Sequence, residues 1–157
     1  MFKTVLLRWL ALLLPLAAVG AALVSQHVYD MQPCPWCVLQ RVVFVALALA
    51  ALPALMTRNR SVNRIGAGLS VVLAACGAAA ALWQHFVAAS TTSCKLSLAD
   101  RIVSGLGLDS LWPQVFAAYA TCADAAVKLV GLPYEAYSLV LFIALSVLAV
   151  VAARQPA

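Results

Sequence analysis

Charge is what this chain has least of. Of its 157 residues only 10% are charged and 5 are acidic, while 66% are apolar and the mean hydropathy is +1.02. A soluble domain of this size needs far more polar surface, so the composition excludes one and indicates an integral membrane protein. The basic residues are spread among short connections, with no basic stripe carrying interleaved aromatics, which excludes nucleic acid as the reading of the +5 net charge. Internal repeats are missing, and low complexity goes no further than a bias toward alanine.

What is present is a set of apolar segments at about 5–25, 38–56, 66–88 and 135–153, each able to cross a hydrocarbon core of about 30 Å. They predict an all-α membrane protein, a single domain over residues 1–157 built as a four-transmembrane-helix bundle. Lys3, Arg8, Arg58, Arg60, Arg64 and Arg154 fall in the N-terminus, the 57–65 connection and the C-terminal tail, which an even number of spans puts on one side. All the acids, Asp30, Asp100, Asp109, Asp124 and Glu135, fall in or beside the other connections. The positive-inside rule then places both termini in the cytoplasm and the loops at about 26–37 and 89–134 outside. Lys3 and Arg8 before an apolar run ending in small residues also fit a cleaved signal peptide, but the run continues to Val24, longer than the usual apolar core of such a peptide. Pro15 and Gly20 inside the first helix predict a kink or close packing, and Gly66, Gly68, Gly77 and Ala78–Ala81 make the third helix a tightly packed interior one.

In the second outer loop, Asp109 or Ser110 can cap a helix from about Leu111, with Pro113 tolerated in its first turn. Trp112, Val115, Phe116, Tyr119, Cys122 or Ala123, Ala126 and Val130 follow helical spacing, and Gly131 and Pro133 end it. This predicts a short amphipathic interfacial helix, the alternative being a solvated cap over the bundle. The stretch 96–108, with Gly105 and Gly107, is expected to be mobile.

Chemistry concentrates in the cysteines. Cys34-Pro35-Trp36-Cys37 stands where a polar break gives way to the second apolar segment, so a helix starting there aims its positive end at Cys37 and favours the thiolate that does redox work. Cys94 and Cys122 share the second outer loop, and Cys76 lies within the third helix, where it reads as a small buried residue. A Cys94–Cys122 bridge is a plausible staple, worth about 3–4 kcal/mol in the chain-entropy model, and equally a partner for thiol–disulfide exchange with Cys34 and Cys37. Zinc is the weaker reading, because structural sites favour paired short spacings.

Arg41 lies four residues beyond Cys37, about 6 Å along a helix axis on the same face. A guanidinium inside a membrane helix is costly. It either snorkels to the surface or donates hydrogen bonds to an apolar ligand with carbonyl oxygens. A lipid-soluble quinone fits that description and accepts two electrons and two protons, matching one dithiol oxidation. His27 and His85, near the outer ends of their helices, are read as headgroup-layer residues or as ligand contacts.

As a set, four spans, the Pro33–Arg41 run Pro-Cys-Pro-Trp-Cys-Val-Leu-Gln-Arg, and Cys94 and Cys122 with Trp112-Pro113-Gln114-Val115-Phe116 ahead of the latter resemble the DsbB family of membrane disulfide-generating quinone reductases. The resemblance implies a bacterial inner-membrane enzyme that reoxidises a periplasmic thioredoxin-like dithiol protein of the DsbA type and reduces ubiquinone or menaquinone from the membrane pool. It further implies attack of the partner at Cys94, exchange between Cys122 and Cys34, and a Cys37 thiolate engaging the quinone beside Arg41. His85 matches only loosely a histidine implicated near the quinone in some members, and the segment before Cys94 lacks a proline often found there. The rivals are a vitamin K epoxide reductase-like protein, in which the redox motif ordinarily sits late in the chain, a paralogue dedicated to one client, and a non-enzymatic tetraspan protein whose cysteines staple it or bind metal.

Overall fold

The computed structural model describes residues 2–57, 59–90 and 96–154, and for Phe2 and Lys3 the backbone alone. Cys94, Lys95 and Arg58 lie outside the described residues. Long helices dominate: α1 (Phe2–His27), α2 (Pro35–Met56), α3 (Arg60–Phe86) and, after the second loop, the last helix Tyr134–Arg154. All are long and apolar enough to span a bilayer. These helices overlap the apolar segments at about 5–25, 38–56, 66–88 and 135–153; α3 begins earlier, at Arg60, and ends at Phe86.

Between α3 and the last helix come a 3-10 turn at Ala88–Ser90, three short helices, α4 (Leu98–Gly105), α5 (Leu108–Leu111) and α6 (Pro113–Phe116), and a hairpin of β1 (Lys128–Leu129) with β2 (Leu132–Pro133). The last span is therefore α7. Packing runs α1 to α2 to α3 to α7, and α7 returns to α1, closing an antiparallel ring. Both described ends of the chain consequently lie at one end of the bundle, with the two connections that carry Cys34 and Cys122 at the other.

The ring closes because small residues let helices approach. A Cβ on Gly77 would run into the Phe142 ring, which has no exposed surface. Phe142 stacks on Phe44 with centroids 4.2 Å apart and planes 8° from parallel, and Leu47, Ala74 and Leu145 complete this mid-bundle core. Pro15 is fully buried within an α1 that continues unbroken past it.

Three expectations need correction. No single helix runs from Leu111 to Val130: Pro113 has no N–H to continue α5, so the chain breaks at Trp112 and restarts as a one-turn α6. Beyond Ala117 the amides of Tyr119 and Ala120 are taken by the Pro33 carbonyl at 3.0 and 3.3 Å, a tertiary acceptor that outbids the helix. The amphipathic helix of this loop lies instead at α4, inside the stretch expected to be mobile. Ser97 and Asp100 cap it reciprocally, and Ala99 and Val103 are buried against the bundle. Third, Cys76 is exposed on α3, next to Gly77 on the packed side, so it lies on the surface of the bundle rather than in the core.

Candidate functional site

Prolines set up the redox motif. A residue before proline is driven out of the α region, and Cys34, followed by Pro35, sits at φ −86° and ψ 167°, the N-cap position of α2, with Pro35 in the first turn. The amide of Cys37 then donates to Cys34 Sγ at 3.4 Å, and the two sulfurs stand 2.9 Å apart. Cys34 has no exposed surface.

Cys122 reaches the same point from the second loop. The bonds from Tyr119 and Ala120 to the Pro33 carbonyl tie that loop to the residue before Cys34. A turn, in which Thr121 and Asp124 bond each other through side chain and backbone, then presents Cys122 inward. Cys34, Cys122 and Trp36 pack in one cluster with Cys37 against it. The Cys34 thiol donates to Cys122, which also receives the Trp36 amide. These bonds hold the Cys122 thiol below its ordinary range, while donation to Cys122, contact with Cys37 and burial push that of Cys34 far up. Cys34 is thus a protonated centre touching both neighbours, and Cys122 is the readier thiolate.

Arg41 does not snorkel; 5% of its surface is exposed. Its Nη1 donates to Gln26 Oε1 at 2.6 Å and to the Val115 carbonyl at 2.9 Å, and Nη2 to the Ala22 carbonyl at 3.3 Å. All three partners are neutral, so the positive charge is held in place without being neutralised. On the other side of Cys37, Gln84 Nε2 donates to its sulfur at 3.2 Å, while Gln84 Oε1 accepts from Gln40 Nε2 at 2.8 Å. Gln40 and Gln84 are both buried, each within a largely apolar stretch of its helix.

A cavity of about 570 Å³ opens beside Cys37 and Arg41, within the usual size of small-molecule sites. Ser25 and Tyr134, whose hydroxyls bond each other at 3.0 Å, face it with the apolar Met31, Pro33 and Val127. Asp30, Gln32, Tyr119 and Asp124 also line it, so the wall is part polar, and Arg41 with the Ser25 and Tyr134 hydroxyls supplies donors of the kind a quinone's carbonyl oxygens need.

The structure therefore brings Cys34, Cys37, Cys122 and Arg41 together. It does not bring His85 to the cavity: His85 Nδ1 bonds Glu135 Oε1 at 2.8 Å across α3 and α7, and neither residue lines that space. His27 bonds the Gln114 carbonyl at 3.2 Å. Gln26, Gln40, Gln84, Tyr134 and Glu135 went unremarked in the sequence as site residues. A polar residue inside an apolar span was the available signal for Gln40 and Gln84; for Gln26 and Tyr134, at helix ends, there was none.

Residues 4–152 match the family described as Disulfide bond formation protein DsbB. The chain belongs to the DsbB family. It is 34% identical over 132 residues to Disulfide bond formation protein B of Herminiimonas arsenicoxydans, covering 83% of each chain. With Disulfide bond formation protein B 1 of Pseudomonas syringae pv. syringae the identity is 35% over 146 residues, 90% of this chain and 85% of the relative. The relative from Nitrosospira multiformis, of the same name, is 33% identical over 135 residues, 84% of this chain and 80% of the relative. No solved structure matches the chain significantly. Membership in the DsbB family and four spanning helices make this a multi-pass membrane protein of disulfide bond formation.

Proposed function

We propose that this protein is a protein-dithiol:quinone oxidoreductase of the bacterial inner membrane, with both termini cytoplasmic, that reoxidises a periplasmic DsbA-type dithiol protein. The observation that carries the reading is Cys34 Sγ in contact with both Cys37 and Cys122, a sulfur able to exchange in either direction.

The relay starts in the oxidised protein, with Cys34–Cys37 and Cys94–Cys122 bonds. A thiolate of the partner attacks Cys94, forming a mixed disulfide and releasing Cys122. The Cys122 thiolate then attacks Cys34 Sγ; the Cys34–Cys122 bond forms, the Cys34–Cys37 bond breaks, and Cys37 leaves as a thiolate. Gln84 donates to that sulfur, and the Arg41 charge borders the same cavity. Meanwhile the second thiolate of the partner attacks its own sulfur in the mixed disulfide, closing the partner's disulfide and freeing Cys94. Return of Cys94 to Cys122 restores that pair and leaves Cys34 and Cys37 as a dithiol. Ubiquinone or menaquinone bound in the cavity would take up the two electrons and two protons given off as the Cys34–Cys37 bond re-forms. Arg41 and Tyr134 would orient its carbonyl oxygens beside the Cys37 sulfur.

The test is loss of quinone absorbance with purified protein, a reduced periplasmic Cys-x-x-Cys protein and a short-chain ubiquinone. Turnover abolished by Cys37→Ser supports the reading. No turnover with ubiquinone or menaquinone by folded protein with its disulfides intact overturns it.

A further inference from the structure

The cavity beside Cys37 is lined in two ways. Ser25 of α1, Cys37 and Arg41 of α2 and Tyr134 at the start of α7 come from the spanning helices, whereas Asp30 and Asp124 come from the two loops and are exposed. Exposed carboxylates in the lining connect the cavity with water. Tyr134 is half-buried, and its own amide is held by the Val127 carbonyl at 3.0 Å, which fixes the start of α7 against the second loop.

Reduction of a quinone consumes two protons as well as two electrons, and few groups in this lining hold a proton to give. Arg41 does not deprotonate in a protein. Cys37 enters the step as a thiolate. Tyr29 is exposed, and the exposed Tyr119 hydroxyl already donates to the Pro113 carbonyl at 3.2 Å. Ser25 gives its hydroxyl proton to the Ala22 carbonyl at 2.9 Å, so in its 3.0 Å contact with Tyr134 the serine accepts and the phenol donates. Arg41 Nη2 donates to that same Ala22 carbonyl at 3.3 Å. Tyr134, Ser25 and Arg41 thus form one chain along the cavity, and its transferable proton is the phenolic one.

We propose that Tyr134 is a catalytic general acid, which gives its phenolic proton to a quinone oxygen and regains it from water beside Asp30 and Asp124. The proposal rests on the quinone reading above and adds the route of the protons. As the Cys34–Cys37 bond re-forms, the two sulfurs give up an electron pair, and Cys34 releases the one proton that the pair still carries. Quinol takes up two protons, one equal to that released by Cys34 and one from Tyr134. Water then reprotonates Tyr134, replacing the proton that Cys37 lost when it left as a thiolate, so atoms and charge balance. Ser25 is a positioning residue: by accepting from the phenol it holds the hydroxyl at the cavity until a ligand oxygen replaces it.

Two measurements on full-length protein in detergent test it. Calorimetric titration of the oxidised protein with a short-chain ubiquinone reads binding without turnover, and stopped-flow mixing of the pre-reduced protein with saturating ubiquinone reads the chemical step. Tyr134→Phe should weaken binding by no more than about tenfold, the loss of one neutral hydrogen bond, yet slow the single turnover by about a hundredfold. Its deficit against the natural protein should widen as pH rises, because the proton must then come from solution, and imidazole buffer should restore part of the rate. Tyr137→Phe, on the same helix and outside the cavity lining, should change neither reading. Fluorotyrosine in place of Tyr134 keeps the shape of the side chain and its fold, and should bring the loss of rate at high pH to a lower pH. Equal single-turnover rates for the natural protein and Tyr134→Phe overturn the proposal alone. So does a deficit that disappears at saturating ubiquinone, which would leave Tyr134 only an orienting role. Failure of the natural protein to bind ubiquinone or menaquinone overturns the quinone reading and the proposal with it.

Discussion

At the scale of single residues, the proposed chemistry rests on Gln84 and Cys122. Gln84 donates to the sulfur of Cys37 from a neighbouring helix and is itself oriented by Gln40. A hydrogen bond to an ionised sulfur is worth more than one to a neutral thiol. Gln84→Leu should therefore slow quinone reduction by roughly tenfold, corresponding to about 1.4 kcal/mol, while formation of the mixed disulfide with the partner proceeds unchanged. Stopped-flow quinone absorbance beside acid-quenched trapping of the mixed disulfide separates the two steps. Cys122 makes a prediction in pH. Its thiol is held below the ordinary value by Cys34 and the Trp36 amide, so as pH falls from above about 8.5 it stays ionised after a free cysteine has protonated. In the reduced protein, maleimide labelling read by peptide mass should reach Cys122 before Cys34 and persist to lower pH. Cys34→Ala removes a donor and should move the Cys122 profile upward. Labelling of Cys34 first at every pH would contradict the assignment.

Helix faces and turns decide the next scale. Gly77 packs on a Phe142 ring that is stacked on Phe44 and cannot move away, so Gly77→Ala should destabilise the bundle by roughly 1–3 kcal/mol, seen as a lower unfolding temperature in detergent. Gly68→Ala, with open space around it, is the control that should cost nothing comparable. In the β1–β2 turn both Val130 and Gly131 have positive φ, 52° and 85°, a combination suited to Asn-Gly and poorly suited to a β-branched side chain. Val130→Asn should stabilise the hairpin by up to about 1 kcal/mol, checked by slower amide exchange at Lys128 and Leu129. The loop helices show why periodicity reached the spans and not this region. Apolar residues at helical spacing between Trp112 and Val130 satisfied the pattern, yet Pro113 and a carbonyl at Pro33, some eighty residues away in sequence, took the backbone elsewhere. Long apolar helices have no such competition, because in hydrocarbon the backbone has no other partner.

For the molecule as a whole, orientation is the consequence of charge that can be measured. Phosphatase fusions after Asp30 and Gly107 should be active outside, and fluorescent-protein fusions after Met56 and Arg154 should fluoresce inside. Active phosphatase at Met56 would invert the topology and remove the proposed periplasmic partner. The sequence alone determined the number of spans, and it alone raised Cys34–Cys37 as a redox motif and Arg41 as a donor to a carbonyl-bearing ligand. These are local matters: apolar length against bilayer thickness, proline and cysteine spacing, a charge within an apolar run. Only the tertiary structure decided that Cys122 touches Cys34, that Arg41 is clasped by Gln26, Ala22 and Val115 rather than reaching the surface, that Gln84 faces Cys37, and that His85 turns to Glu135. Each of these joins helices or loops distant in sequence. Their meeting depends on how the ring of helices closes and where a loop amide finds its acceptor, which no local pattern encodes.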